Sequence, residues 1–180
     1  IIKMKNILFN FFELAFVLLA ISVFIIPFII IYLVLLFSNN GNPIFWSQRI
    51  GLNNKIFLMP KFRTMKKNTP MVATHLLPKN NSYITFLGRI LRKTSLDEVP
   101  QIISIMRGDM KIVGPRPALF NQYDLIELRT KKNIHKIKPG ITGLAQINGR
   151  DNLSIPEKVE LDYKYFLNQS IYYDLIIIIK

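Results

Sequence analysis

The chain has 180 residues, half of them apolar, no cysteine, and 24 Lys plus Arg against 11 Asp plus Glu, a formal charge of +13. A chain this apolar is not disordered, and without cysteine it has no disulfide, thiolate zinc site or cysteine nucleophile. His75 and His135 are far apart in the chain, so any metal here is a hard cation held by oxygens.

Residues 14–37 carry no charge, and Ser22 is their only clearly polar member. A helix needs roughly 20 apolar residues to span a bilayer, and a helix apolar on every side belongs in lipid. The stretch is too long for a secretory signal, and residues 38–43 offer no small-residue cleavage pattern. Pro27 removes a backbone donor near the middle and frees the carbonyl of Val23, with Ser22 close enough to help. Two shapes fit: a kinked spanning helix, or a bent helix that enters and leaves by one face. Bases flank both ends (Lys3 and Lys5; Arg49, Lys55, Lys61 and Arg63), which favours the same-side form, because positive residues mark the cytoplasmic side. No second such segment follows. The expected organisation is an N-terminal anchoring segment, residues 1–40, and a domain outside the bilayer, residues 41–180.

In that domain, Ile44-Phe45-Trp46 and Lys55-Ile56-Phe57-Leu58 flank Gly51-Leu52-Asn53-Asn54, which predicts a β-hairpin or a pair of short strands. Residues 61–65 alternate basic and apolar like a half-buried strand, which puts Lys61 and Arg63 on one face. Residues 66–81 read as a loop, and residues 84–93 and 96–106 carry two helical stripes ended by Gly108. Met110–Val113 is a short strand leading into Gly114-Pro115-Arg116-Pro117. Residues 118–137 read as a helix whose cluster Arg129–Lys136 is a solvated or membrane-facing side. Lys138–Gly143 resembles a backbone anion nest, residues 144–148 a short strand, and residues 156–168 a helix before a final apolar stretch. The fold class is α+β, mostly helical, with short strands.

The charge is concentrated. Residues 41–117 hold 13 bases and only three acids, and the acid-free run from Leu14 ends at Asp97-Glu98. Such a field favours phosphates, nucleic acid or an anionic membrane surface. Ser95-Leu96-Asp97-Glu98 has the form of a capping box, but Pro100 would sit where a helix needs an N–H. The other reading is a broken helix that exposes two carboxylates, one a nucleophile toward phosphorus and both able to approach Mg²⁺, ionised among so many bases. Two prolines stiffen the backbone around Arg116, which suits bidentate phosphate binding. Lys61 and Arg63 are candidates to line the same phosphate site, and Gln146, Asn148 and Arg150 alternate so as to read a sugar or base edge.

The ordered set Lys61–Met65, Arg92–Gln101, Gly108-Asp109-Met110, Val113–Pro117 and Lys138–Gly143 resembles the bacterial sugar transferases, monotopic polyprenyl-phosphate phosphoglycosyl transferases of the minimal small form. The resemblance covers nearly the whole chain. It implies a re-entrant membrane helix broken at Pro27, although Ile26 stands where small members often have serine. It implies a cytoplasmic catalytic domain with interfacial amphipathic helices on the inner leaflet of a bacterial cytoplasmic membrane. It also implies a catalytic and Mg²⁺-binding dyad, Asp97 and Glu98, and phosphate or substrate contacts from Lys61, Arg63, Arg92, Arg116, Gln146 and Arg150. The implied reaction moves a sugar-1-phosphate from a UDP-sugar donor to polyprenyl (undecaprenyl) phosphate through an aspartyl-phosphosugar intermediate. UMP is released, in the first membrane step of glycoconjugate assembly. Glu98 would orient the metal or assist as a base toward the lipid phosphate. No nucleic acid is among the expected partners. The competing class is a non-catalytic membrane-anchored binder of anionic lipid.

Overall fold

A computed structural model describes residues 19, 22–38, 41–67, 69–70, 83–149 and 152–180. Part of the 66–81 loop and Arg150 lie outside the described residues. The fold is α+β and mostly helical, with two small sheets of two strands each among the described residues.

The first helix, α1, covers residues 22–37 with Pro27 inside the run. The Ser22 hydroxyl donates to Leu19 O at 2.8 Å, so it does not serve the Val23 carbonyl as expected from the sequence. Phe28, Ile31, Tyr32 and Leu35, spaced along one face, meet Phe62, Leu91 and Ile44 in a shared core. The Phe28 and Phe62 rings stand 5.1 Å apart. The other faces remain apolar and exposed, with Ile26, Ile29, Ile30, Leu33 and Phe37 open to the surroundings. No helix among the described residues is long and apolar enough to cross a membrane.

Strands β1 (Ile44–Ile50) and β2 (Ile56–Phe62) pair antiparallel as the turn residues predict. Asn53 and Asn54, both at positive φ, close the hairpin, a conformation their short polar side chains tolerate. The register sets Phe45 opposite Lys61, Ser47 opposite Met59 and Arg49 opposite Phe57, so Ser47, Arg49 and Lys61 share a face. The strand ends at Phe62, short of the predicted Met65, which instead bridges to Ile84. Helix α2 (Phe86–Lys93) is capped by Thr85, whose side chain accepts from Gly88 N at 2.9 Å. Gly88 is required here, because a Cβ would lie 2.1 Å from Thr64 O.

The second predicted helical stripe is a 3₁₀ turn, Leu96–Gln101, running into the short α3, Ile102–Met106. Strand β3 (Lys111–Val113) pairs in parallel with β4 (Gly140–Thr142). The glycine-rich segment is therefore not an anion nest: Gly140 N donates to Pro115 O at 3.0 Å, and a Cβ on Gly140 would stand 2.1 Å from Gly114 N. The helix predicted over 118–137 is α4 (Tyr123–Lys131) and a 3₁₀ turn, Ile134–Lys136. Residues 144–148, read as a strand, form the four-residue helix α5 (Leu144–Ile147). This removes the alternating face expected for Gln146 and Asn148, and Asn148 Nδ2 instead donates to Leu144 O at 2.7 Å. Helix α6 (Ile155–Leu167) opens on a capping box of Ser154 and Glu157 with proline in its first turn, and α7 spans Ile171–Ile179.

Candidate active site

A cleft of about 590 Å³ runs between the β1–β2 face, the Leu96–Gln101 turn, the Arg116 loop and the start of α5. Asp97, Glu98, Lys61, Arg63, Arg92, Arg116 and Gln146 all line it. Pro27 does not. The hairpin delivers Lys61, α2 delivers Arg92, and the 3₁₀ turn delivers both carboxylates.

That turn departs from the capping-box form. Ser95 sits at φ 57° and makes no side-chain cap bond. Pro100 is accommodated by the tighter turn, where its missing N–H breaks no α-helical bond. Asp97 and Glu98 therefore fall in a first turn aimed at the cleft, though enclosed rather than exposed: Asp97 keeps 9% of its surface.

The two carboxylates differ sharply. Lys61 Nζ donates to Glu98 Oε1 at 2.9 Å, and Arg116 grips both Glu98 oxygens, Nη2 to Oε1 at 2.5 Å and Nη1 to Oε2 at 3.4 Å. Burial pushes the Glu98 carboxyl up, but Arg116 and Lys61 outweigh it and hold the group far below the usual range. Asp97 has no ion pair among the described residues. Burial raises its carboxyl above the ordinary value; Lys61 and Arg92 oppose this and the Glu98 charge adds to it. Both were expected to stay ionised among the bases; the cations favour that at Glu98, whereas burial works against it at Asp97. Burial and Arg116 together pull Lys61 down to about 8, with Glu98 acting against them.

The Arg116 loop is held at three successive carbonyls. Pro115 O accepts from Gly140 N, Arg116 O from Arg129 Nη1 at 2.8 Å, and Pro117 O from Arg49 Nη1 at 3.1 Å. Arg129 is not the solvated residue expected of it. Nε and Nη2 clamp Asp162 Oδ2 at 3.0 and 2.6 Å, and Asp162 is 1% exposed. Thr64 Oγ1 accepts from Arg92 Nε at 2.9 Å and orients it, while Arg63 donates to Asn42 O and lies over the Phe45 ring. Gln146 is buried, donates from Nε2 to Ile141 O at 3.3 Å, and has no partner for Oε1 among the described residues.

Among the described residues no three His, Asp or Glu side chains gather around one point. The donor set is one open carboxylate, Asp97, beside one already engaged, Glu98. That fits Mg²⁺, which keeps several waters and binds one or two carboxylates plus substrate phosphates, and it does not fit a closed zinc or calcium cage.

The family model described as bacterial sugar transferase matches residues 4–180. The chain belongs to this family. It is 45% identical over 138 residues to the uncharacterized sugar transferase EpsL of Bacillus subtilis, covering 75% of this chain and 66% of that protein. It is 36% identical over 169 residues to the exopolysaccharide production protein ExoY of Rhizobium meliloti, 85% of this chain and 74% of that one. It is 42% identical over 150 residues to the UDP-glucose:undecaprenyl-phosphate glucose-1-phosphate transferase of Escherichia coli, 78% of this chain but 32% of that protein.

Five cations that line the cleft were not read as site residues from the sequence: Arg49, Lys66, Lys67, Arg129 and Lys158. Arg49 had a signal, since the hairpin alternation places it on the Lys61 face. Arg129 had none, because its partner Asp162 lies 33 residues away.

Proposed function

We propose that the chain transfers a sugar-1-phosphate from a UDP-sugar to polyprenyl phosphate and releases UMP. The observation that carries this reading is the division of labour at the dyad: Glu98 is clamped by two cations, while Asp97 faces the same cationic cleft without an ion pair. The activity in the Escherichia coli relative's name supports the donor and acceptor classes.

An Asp97 oxygen attacks the sugar-linked phosphorus. The bond from that phosphorus to the bridging oxygen breaks, and UMP leaves with that oxygen and its electron pair. The phosphosugar is then an acyl phosphate on Asp97. An oxygen of polyprenyl phosphate attacks the same phosphorus, the Asp97–phosphorus bond breaks, and the carboxylate is restored. Two steps keep the anionic donor and anionic acceptor from meeting directly. Lys61, Arg92 and Arg116 offset the charge gathered at phosphorus, preorganised by Glu98 and Thr64. Asp97 and Glu98 would hold Mg²⁺, which when bound supplies further positive charge to phosphoryl oxygens.

The acceptor's tail stays in the bilayer, so the cleft needs a membrane seat. The exposed apolar faces of α1, and of α2 at Phe86 and Ile90, support a seat on the inner leaflet of a bacterial cytoplasmic membrane, with Pro27, inside the helical run 22–37, as the point where a re-entrant segment would turn. Incubation with a panel of sugar-labelled UDP-sugars, without acceptor, tests the reading. Label stays on the denatured protein, and Asp97→Asn abolishes it while turnover falls by roughly 10⁴–10⁶. A folded Asp97→Asn protein that keeps near-normal turnover sinks the mechanism. Vesicle binding without labelling or UMP release from any donor favours the anionic-lipid binder instead.

A further inference from the structure

Arg49 is one of the cleft cations that the chemistry above leaves unused. It sits on β1 on the same face as Lys61 and lines the cleft. Its partners are neutral: Nε donates to Ser47 Oγ at 3.0 Å and Nη1 to Pro117 O at 3.1 Å. A guanidinium has five N–H donors. Two of Arg49's are spent among the described residues, and no carboxylate pairs with it there. Lys61 and Arg116 both discharge onto Glu98, so Arg49 is left with the field of a glutamate that two other cations already share. Burial and repulsion from Arg116 lower it to about 10, which still leaves it charged at neutral pH.

A fixed guanidinium on a strand, with unspent donors and a neighbouring cation surplus, matches a multiply charged oxyanion better than a single carboxylate. We propose that Arg49 is a phosphate-binding residue of the cleft, its free guanidinium edge taking phosphate oxygens of the nucleotide-sugar donor or of the lipid acceptor beside Arg116. This rests on the phosphoryl-transfer reading, yet it is tested by binding alone. Because Arg49 also holds Pro117 O, substrate binding and loop position are linked through one side chain.

Three equilibrium measurements on the full chain in detergent or on vesicles decide it: binding of UDP, of inorganic pyrophosphate, and of phosphatidylcholine vesicles carrying polyprenyl phosphate. Arg49→Gln keeps an amide donor for Pro117 O but no charge. It weakens binding about ten- to hundredfold in at least one measurement and flattens the salt dependence of that binding. Arg49→Lys keeps the charge without the fork and loses about three- to tenfold. A loss confined to UDP and pyrophosphate assigns Arg49 to the donor, and a loss confined to vesicles assigns it to the acceptor. Circular dichroism verifies folding, and if Arg49→Gln is unfolded, Arg49→Lys decides. Wild-type affinity in all three measurements for a folded variant overturns the proposal, as does a wild-type chain that binds none of the probes. Should the wild type bind pyrophosphate but not UDP, the UDP-sugar reading fails while Arg49 is still judged on pyrophosphate.

Discussion

Asp97 and Glu98 are consecutive, yet their surroundings drive their titrations apart. Burial lifts Asp97, and Arg116 with Lys61 holds Glu98 down. In the proposed mechanism Asp97 must be ionised to attack, so activity should be lost as pH falls through its raised value. In that mechanism Lys61 must be charged to hold Glu98 and meet phosphate, so activity should also be lost as pH rises through about 8. The pH profile of kcat/KM is therefore a bell with its alkaline limb near 8 and its acid limb shifted up from the ordinary aspartate value. Lys61→Arg moves the alkaline limb up by more than one pH unit and leaves the acid limb in place. An unmoved alkaline limb means that another group sets it. The dyad, Lys61 and Arg116 were readable from the sequence, because each is marked locally by adjacent acids, strand alternation or flanking prolines. The upward shift at Asp97 was not readable, because it depends on how much of the carboxyl folding buries.

At the level of elements, the Arg116 loop depends on a pair from two helices. Arg129 of α4 bonds Arg116 O and Asp162 of α6, and only 1% of the Asp162 surface is exposed. Breaking one side of a buried pair costs about 3–5 kcal/mol, because the other charge is stranded. Asp162→Asn should lower the denaturation midpoint accordingly, and Arg129→Met with Asp162→Leu should recover much of the loss. A double variant no more stable than Asp162→Asn would refute this. Sequence pattern could not pair positions so far apart. It failed at α5 for a different reason: four residues hold barely one helical turn, too few for a 3.6-residue period to outweigh strand-like alternation. The hairpin succeeded because Gly51 to Asn54 and the flanking apolar runs act within a dozen residues.

Across the whole molecule, the apolar N-terminal helix is not merely tethered. Leu35, Phe62 and Leu91 form one core cluster, with Leu35 and Phe62 each 2% exposed. Leu35→Ala should cost about 2–5 kcal/mol, read by chemical denaturation. The 41–180 segment alone should melt below the full chain, since it uncovers Phe62 and Leu91. A truncated chain that melts with the full one would mean that α1 contributes no stability. The sequence predicted a division at residue 40 from composition, and composition does not show which apolar face turns inward.

Lys61 and Phe62 are neighbours in β2. One grips Glu98, and the other carries the helix that the proposed function seats in lipid. A single peptide bond thus joins the anchor to the dyad, and a tilt of α1 reaches the Glu98 clamp with little slack. Turnover in reconstituted vesicles should therefore vary with acyl-chain length at constant headgroup, peaking where bilayer thickness lets α1 rest undistorted. Equal rates from short-chain to long-chain lipids would show the two ends of that bond to be mechanically independent.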